Sequence, residues 1–534
     1  MESNLSNLSN KEFWERNGYE LPQFNIEEVK EETKKNPIWL HFGAGNIFRA
    51  YIAVLQQTLL NKKFASRGII ACEFFDEEII EKAYKPFDNL SIAVTLKDDG
   101  SINKKIVASV VDSIIASREL DKLINVASSP SLQIISFTIT EKGYSLKSLT
   151  GEYLKDVNDD LQRLPERPRS IMGLIALLCY KRFKKNKAPL GLLSLDNCFH
   201  NGLTLYNAIR TFAESWVSKG YIETEFIDYI TDQNYISFPW SMIDKITPRP
   251  SEYVKKILVD DGISGVDITE TAKHTYISSF VNAEEVEYLV IEDLFPNSRP
   301  PLEKAGVIFT DRNTVDRAEK MKVCTCLNPL HTILAIFGCL LGYSSVSDIM
   351  RNSTIKKLLE KTGYNELLPV VVDPKIINPY KFMKEVLEKR MPNPYVPDTP
   401  QRIACDTSQI ISIRFGETLK SYLEKSKTEI EKLTYIPMFF AGWLRYLLAI
   451  DDDGKPFNLS PDPLNEELTN YLKDIKLGDT GPFTKVLEPI LSNKNIFGVD
   501  LYECRLAQKV EKFFCEFVSG KGMVGKTLEK YIDN

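Results

Sequence analysis

The sequence predicts an α/β protein in which a Rossmann-like N-terminal domain precedes a mainly α-helical C-terminal domain. Apolar strand-like runs alternate with helical stretches in the first part of the chain, which favours a largely parallel sheet. A glycine loop follows the first of these runs, and helical periodicity dominates the last part. A chain of 534 residues is long enough for more than one domain. We place the Rossmann-like domain at 1–297 and the helical domain at 298–534.

The predicted strands are short, apolar and rich in β-branched residues. The first, Ile38–Phe42, runs directly into Gly43-x-Gly45, and helical periodicity follows from Ala50 to Leu60. The other predicted strands are Gly68–Cys72, Ser91–Leu96, Lys105–Val111, Leu132–Thr140 and Leu190–Leu195.

Polar clusters stand where two of these strands end. Leu132–Thr140 opens onto Glu141-Lys-Gly-Tyr144, and Leu190–Leu195 opens onto Asp196-Asn197. In parallel sheets, ligands bind beyond the carboxyl ends of the strands. We therefore expect chemistry at both clusters.

The glycine loop has the context of a dinucleotide-binding turn. Gly43 permits the tight turn, and Gly45 lets a pyrophosphate approach the N–H groups of the helix N-terminus. Glu73 ends the second strand and suits a ribose diol, where its charge would repel the extra phosphate of NADP; Asp76 is the alternative. The residues expected to contact NAD are Gly43, Gly45, Asn46, Ile47, Phe48, Arg49, Glu73, Thr140 and Glu141.

Composition excludes several classes of partner. The formal charge is −6, without a long basic block, so nucleic acid is not expected. The polar N-terminus has no hydrophobic signal core, and the best apolar run, Leu327 to Leu341, is interrupted by polar residues and a proline, so no membrane span is expected. Nine scattered cysteines are typical of reduced thiols in a cytoplasmic protein. The oligomeric state stays open.

The stretch from Lys322 to His331 places a lysine, an asparagine and a histidine among apolar residues. Buried polar groups are costly unless they are paired, so a polar site within a core is indicated, with a helix end or a hydrogen-bond network as the structural alternative. Cys324 and Cys326 could join His331 as metal ligands. No second pair completes a zinc spacing, and we expect no metal.

Seven segments together resemble the polyol-specific long-chain dehydrogenase/reductase family, in the family's order. They are HFGAGNIFRAY (41–51), TITEKGY (138–144), SLDNCFHNG (194–202), FPWSMIDKITP (238–248), YLVIEDLFPNSRPPLEKAGV (288–307), EKMKVCTCLNPLH (319–331) and RMPNPYVPDTPQRIACDTSQ (390–409). The resemblance implies a metal-independent, NAD(H)-linked oxidation of a secondary alcohol on an open-chain sugar derivative.

The resemblance also assigns roles to residues. It implies that Lys322 is the catalytic acid/base, that Asn328 and Asn197 are the amides that polarise the carbonyl, and that His331 orients the substrate. Asp244 resembles a substrate-site carboxylate, and Glu319 resembles a glutamate that gates proton exit from the lysine.

The chain departs from the family in the spacing of its lysine. Five residues separate Lys322 from Asn328, where the family has four. One extra residue turns a side chain by about 100° on a regular helix. Pro329 cannot donate to the carbonyl of Thr325, so we expect a π-bulge that absorbs the insertion. Lys320 is the alternative base. Phe48 and Tyr51 stand where many relatives carry histidines.

The substrate is expected to be an open-chain sugar acid or polyol, with D-mannonate/D-fructuronate preferred over D-mannitol/D-fructose. A uronate carboxylate is best bound by the two parallel N–H donors of an arginine guanidinium, for which Arg390 and Arg402 are candidates. Two other classes of function stay open. One is a non-catalytic NAD-binding sensor, which the extra residue before Asn328 would favour, and the other is a Cys/His metal hydrolase.

Overall fold

A computed structural model describes residues 3–5, 8–148 and 151–532. The chain forms two compact units, Met1–Asp316 and Arg317–Asn534. The first unit extends further than the predicted boundary at 297/298, because strand Ile308–Thr310 pairs in parallel with Tyr288–Glu292. These ladder hydrogen bonds tie the segment after residue 298 to the first unit.

A six-stranded parallel sheet is the centre of the first unit. Its strands are, in chain order, β1 (Trp39–Phe42), β2 (Ile69–Glu73), β3 (Val110–Ile115), β4 (Ile134–Phe137), β5 (Leu190–Ser194) and β6 (Ile236–Ser237). Their spatial order is β3-β2-β1-β4-β5-β6, and every neighbouring pair is parallel. This is the doubly wound Rossmann order, whose strand order reverses between β1 and β4. The predicted fold class is confirmed.

The strands of this sheet are buried on both faces, which explains their continuous apolar runs. Leu40 and Phe42 of β1 pack into a core with helices Ile171–Lys185 and Asn201–Ser218. Trp39 of the same strand packs on the opposite face with residues of helix Ala53–Asn61. Alternate side chains of one strand thus enter two different cores.

A second, mixed sheet of four strands corrects two of the predicted strands. Ser91–Leu96 pairs antiparallel with Ile102–Val107 and parallel with Phe280–Glu284, so it lies outside the Rossmann sheet. The predicted strand Lys105–Val111 is divided between Ile102–Val107 and β3. A local apolar run indicates a strand but not the strand with which it pairs, so the sequence pattern predicted one sheet where the protein has two.

The remaining elements of the first unit are short strands and connecting helices. The remaining strands are Ser3–Asn4, Tyr19–Glu20, Ser241–Asp244, Ile263–Ser264, Thr269–Glu270, Tyr276–Ile277, Tyr288–Glu292 and Ile308–Thr310. The helices are Lys11–Arg16, Ile26–Lys35, Phe48–Ile52, Ala53–Asn61, Glu78–Ala83, Lys85–Phe87, Leu120–Ala127, Thr140–Tyr144, Lys155–Leu161, Ile171–Lys185, Asn201–Ser218, Glu225–Thr231, Glu252–Asp260 and Leu302–Ala305.

The second unit is helical, as predicted. Its helices, with the one that spans the boundary, are Arg312–Lys320, Met321–Cys326, Asn328–Leu340, Val346–Ile349, Ser353–Thr362, Gly363–Leu367, Leu368–Val370, Pro379–Glu385, Val386–Arg390, Pro400–Ile403, Thr407–Arg414, Gly416–Lys425, Lys427–Ile430, Tyr435–Tyr446, Asn465–Leu472, Thr484–Leu491, Lys494–Phe497, Ala507–Val518 and Met523–Ile532. Asn328–Leu340 is the central helix, and its Phe337 ring meets Phe517 edge-on, 5.9 Å between ring centroids.

The helical stretch Arg312–Leu340 is long and apolar enough to cross a membrane by length and composition alone. Asn328, Pro329 and His331 interrupt its apolar run, and the helical stretch continues through them. Of its most apolar window, 83% is buried inside the protein. That burial is typical of the core helix of a folded domain.

Candidate active site

A cavity of about 590 Å³ opens at the carboxyl ends of β1, β2 and β4. Its walls include Gly43, Glu73 and Thr140, three of the residues that the sequence assigns to the cofactor. Phe74 and Ile171 contribute apolar surface. The cavity therefore lies at the point where the strand order reverses, the place where doubly wound sheets bind dinucleotides.

Gly43 must be a glycine for two separate reasons. Its φ is +96°, and a Cβ at this position would lie 2.1 Å from the carbonyl oxygen of Thr138. The Thr138 hydroxyl also donates to the Gly43 carbonyl over 2.9 Å, which joins the ends of β1 and β4. A Cβ on Gly45 would meet nothing within 4 Å, so this position leaves room for a ligand to approach the backbone.

Asn46 and Ile47 are half-buried and form the first turn of the helix after the glycine loop. The first N–H groups of a helix have no intrahelical acceptor. The helix N-terminus also carries a positive partial charge, so these backbone donors suit a phosphate. This helix begins three residues after Gly43, which lines the cavity.

Phe48 and Arg49 do not fit direct contact of their side chains with a cofactor, and both expectations are corrected here. The Phe48 ring is fully buried and stacks on His41, with 4.0 Å between ring centroids. The Arg49 guanidinium is also fully buried; it donates to the Ser278 carbonyl over 2.7 Å and to Asn46 Oδ1 over 3.3 Å. Neither side chain has exposed surface to offer, because both fill the core under the loop.

Glu73 organises the loop as well as facing the cavity. Its Oε2 accepts from the Ala44 N–H over 2.9 Å, and its Oε1 accepts from the N–H groups of Phe74, Phe75 and Asp76. Burial raises the pKa of this carboxyl, and the four backbone donors act in the opposite direction. The alternative, Asp76, is committed elsewhere: it accepts from the Thr271 hydroxyl over 2.7 Å. Glu73 also lines the cavity, whereas Asp76 is not among its lining residues, so Glu73 is the better placed of the two for a ribose diol.

Thr140 and Glu141 are exposed at the end of β4, and Thr140 lines the cavity. The backbone N–H of Thr140 donates to Asp196 Oδ1 over 2.9 Å, and that of Ile139 donates to Asp196 Oδ2 over the same distance. The Tyr144 hydroxyl donates to Asp196 Oδ2 over 2.6 Å. The two polar clusters expected from the sequence are therefore joined by one carboxylate.

Asn197 and Asp244 both follow strands of the first unit. Asn197 is exposed just after β5, next to Asp196. Asp244 ends strand Ser241–Asp244 and is buried, 5% exposed. Of the two basic residues that follow it, Lys245 bridges to Glu287 over 2.6 Å, and the Arg249 guanidinium lies over the Tyr276 ring.

The predicted π-helical turn is present around Lys322. Residues Met321–Cys326 form a π-helix, and the Leu327 N–H donates to the Lys322 carbonyl over 3.1 Å, five residues back. Pro329 stands in the first turn of the next helix, where its missing N–H costs little. One π turn holds about one residue more than an α turn, which matches the one extra residue between Lys322 and Asn328.

The second-unit site residues follow one another along this helical stretch. Lys322 is 2% exposed, and Glu319, one turn earlier, is 5% exposed. Asn328 and His331 are half-buried in the first turn of helix Asn328–Leu340. The alternative base, Lys320, is also half-buried, so burial favours Lys322 for this role.

The two arginines proposed for a carboxylate differ in placement. Arg402 is exposed and bridges to Asp398, which corrects its expected role because its fork already holds a carboxylate. Arg390 is buried at the end of π-helix Val386–Arg390. Sequence reasoning passed over Arg414, whose Nη1 donates over 2.5 Å to the hydroxyl of Thr332, one turn after Asn328. Burial lowers the pKa of Arg414 to about 10.

The residues around the cavity fit a dinucleotide. The loop needs a glycine at 43 for steric reasons, the space above Gly45 is open, and a helix begins at Asn46. Glu73 supplies a carboxylate, and the remaining wall is largely apolar, as an adenine ring requires. Pyrophosphate would therefore be held by backbone groups of 45–48.

Comparison with known proteins agrees with this architecture. Residues 37–304 match the mannitol dehydrogenase Rossmann domain, and residues 314–515 match the mannitol dehydrogenase C-terminal domain. A D-mannonate oxidoreductase of Thermotoga maritima is 48% identical over 100% of this chain and 99% of its own length. A mannitol 2-dehydrogenase of Neosartorya fischeri is 28% identical over 92% of this chain and 93% of its own.

A crystal structure of D-sorbitol dehydrogenase in substrate-free form superposes with a TM-score of 0.78. It is 25% identical, and the match covers 95% of this chain and 97% of that one. The full-length relatives and both family domains lead to one assignment. The chain belongs to the mannitol dehydrogenase family of NAD-dependent oxidoreductases.

Proposed function

We propose that this protein interconverts D-mannonate and D-fructuronate with NAD(H). The observation that carries the proposal is the 48% identity, over the full length of both chains, to a relative that acts on D-mannonate. The relatives that act on mannitol are only 27–28% identical. Interconversion of D-mannitol and D-fructose is therefore the second candidate. The cytoplasm is the compartment we propose.

The first step assigned to the second unit is removal of the hydroxyl proton from the alcohol substrate. Oxidation of a secondary alcohol needs a base for the hydroxyl proton, and a buried lysine favours the neutral amine that can accept it. Lys322 is assigned this role because it is buried and lies in a π turn, which can accommodate the extra residue before Asn328. Glu319, one turn away, is assigned the transfer of that proton to solvent. NAD, when bound, accepts the hydride.

The polar groups after the π turn are assigned to the substrate oxygen. The Asn328 amide would donate to the developing alkoxide, and a donor in such a position contributes about 3 kcal/mol in comparable sites. His331, three residues later, lies on the neighbouring part of the same helix face and is assigned to orient the substrate. Asn197 and Asp244, in the first unit, keep the roles that the family resemblance implies. Arg390 remains a candidate for the uronate carboxylate.

A substrate panel followed by NADH absorbance tests the proposal. D-Fructuronate, another keto-acid, D-fructose and an aldose are offered at equal concentration, and the reverse reaction is run with D-mannonate and D-mannitol. We expect the highest kcat/KM for the D-fructuronate and D-mannonate pair. Faster reduction of fructose than of either keto-acid would replace the proposal with the mannitol activity. NADH binding without turnover of any compound would support a sensor.

A further inference from the structure

Asp196, the residue before Asn197, accepts three hydrogen bonds from residues on another strand end. Its two carboxylate oxygens accept the backbone N–H groups of Ile139 and Thr140 and the hydroxyl of Tyr144. The same hydroxyl is 2.8 Å from Ser194 Oγ, at the end of β5. One side chain thus joins the ends of β4 and β5, two neighbouring strands of the Rossmann sheet.

Thr140 has a backbone conformation that its side chain disfavours. Its φ is +63°, in the left-handed region, where a β-branched residue is a genuine outlier. Such conformations persist where surrounding contacts hold them, and they cluster at functional sites. Thr140 is exposed and lines the cavity assigned to NAD. Its backbone N–H donates to the Asp196 carboxylate.

We propose that Asp196 is a positioning residue for the cofactor. Its carboxylate holds the Ile139–Thr140 turn in the conformation that shapes the rim of the NAD cavity. Asp196 also directly precedes Asn197, which is assigned to the substrate oxygen. The role needs an ionised carboxylate, because both of its oxygens must accept: Oδ1 from the Thr140 N–H, and Oδ2 from the Ile139 N–H and the Tyr144 hydroxyl. An amide at this position would accept on one side and turn an N–H₂ group toward donors on the other. The inference rests on the assignment of this cavity to NAD.

A double-mutant cycle tests this inference in the full-length protein, with NADH affinity measured by fluorescence titration. Asp196→Asn should weaken NADH binding by about tenfold or more, because the turn relaxes away from positive φ. Thr140→Gly supplies the reference affinity for the second arm of the cycle, because glycine adopts the same φ without support although the variant loses a side chain that lines the cavity. In the Thr140→Gly background, Asp196→Asn should cost much less than in the wild type, since the two positions act as a unit.

A second variant covers the case in which Asp196→Asn does not fold. Thr140→Pro leaves Asp196 intact but removes the N–H and excludes positive φ, so it should weaken NADH binding as Asp196→Asn does. Asp98→Asn is the matched control: it removes the same charge at an exposed turn between Ser91–Leu96 and Ile102–Val107. Its NADH affinity should equal that of the wild type.

The proposal is overturned if Asp196→Asn weakens NADH equally in both Thr140 backgrounds, or if Thr140→Pro leaves the affinity unchanged. A loss of thermal stability without loss of NADH affinity also overturns it, because that is the result of a purely structural role. NADH titration needs no substrate. A wrong assignment of the sugar acid would therefore leave these results unaffected, whereas a cavity that does not bind NADH would give no titration at all.

Discussion

At the scale of single residues, polar groups in the apolar interior mark the places where this protein does chemistry or orders a loop. Lys322, Glu73 and His41 are all nearly or fully buried. Each has hydrogen-bond or electrostatic partners, as burial of a polar group requires. Their roles differ: Lys322 is assigned to proton transfer, Glu73 bonds the backbone of the cofactor loop, and His41 bonds Ser136 on the neighbouring strand.

Substitution of the proposed base tests its chemical role. Lys322→Ala should lower kcat by about 10²–10⁴-fold, the usual contribution of a general acid/base. Its NADH dissociation constant should stay nearly unchanged, because the cavity assigned to NAD is formed by the first unit. Steady-state kinetics and fluorescence titration measure the two quantities. Lys320→Ala is the matched control and should keep most of its turnover; a reversed order of the two variants would make Lys320 the base.

His41 makes the stability of the protein depend on pH. The buried ring bonds Ser136 Oγ over 2.7 Å and Thr138 Oγ1 over 2.9 Å, and burial lowers the pKa of His41 to about 3. The unfolded chain takes up this proton below pH 6.5, but the folded protein does not. The contribution of His41 to the free energy of unfolding is thus fully present above about pH 6.5. It decreases as the pH falls, by about 2 kcal/mol at pH 5.

Denaturant unfolding at pH 7 and pH 5 measures this effect. His41→Gln should show a smaller difference between the two pH values than the wild type, although its stability at pH 7 is lower. His274→Gln is the control, since that imidazole is exposed. If the wild type and His41→Gln lost equal stability between pH 7 and pH 5, the buried imidazole would not be responsible.

At the scale of secondary-structure elements, an irregular helix is what permits the spacing of the second-unit residues. The π turn of Met321–Cys326 is stabilised at its end by the bond from the Leu327 N–H to the Lys322 carbonyl. The Thr418 hydroxyl donates over 3.2 Å to the carbonyl of Cys324, which lies within the turn. Backbone groups that a regular helix would satisfy are therefore partly served by other elements.

Removal of one residue from this turn tests its function as a spacer. Deletion of Val323 restores four residues between the lysine and Asn328, and a regular α turn would then give the same phase. We expect the variant to fold and to keep activity within about tenfold of the wild type. Deletion of Ala335, in the regular buried helix Asn328–Leu340, is the control and should prevent folding. Circular dichroism and NADH-linked turnover measure both; complete inactivity of a folded Val323 deletion would reject the spacer.

At the scale of the whole molecule, stability is linked to the dinucleotide through the first unit. A ligand that binds only the folded state at 100 times its dissociation constant adds about 2.7 kcal/mol to the free energy of unfolding. We expect this increase with NADH. NADPH at the same concentration should add much less, because the Glu73 carboxylate on the cavity wall repels the extra phosphate.

Denaturant unfolding with and without each dinucleotide provides the measurement. Adenosine at the same concentration is the control, since it carries neither phosphate nor nicotinamide. Equal stabilisation by NADH and NADPH would show that Glu73 does not select the cofactor, and the carboxylate would then serve only the backbone of the loop.

The π turn before Pro329 was expected from comparing the spacing of the lysine with that in the family, whereas the sequence by itself determined the fold class, the glycine loop and the helical character of the second unit. These features depend on local periodicity, on the steric demands of glycine and proline, and on spacing along one helix, all of which are written in neighbouring residues. The family resemblance added roles for Lys322, Asn328 and His331, whose positions on one helical stretch agree with those roles.

Only the tertiary structure decided which partners these residues meet. It placed Phe48 and Arg49 in the core, closed Arg402 onto Asp398, and moved Ser91–Leu96 into a second sheet. It also joined Asp196 to Thr140, 56 residues earlier in the chain. Such pairings connect distant residues, and an apolar or polar pattern reports only that a group is buried or exposed, not what it contacts.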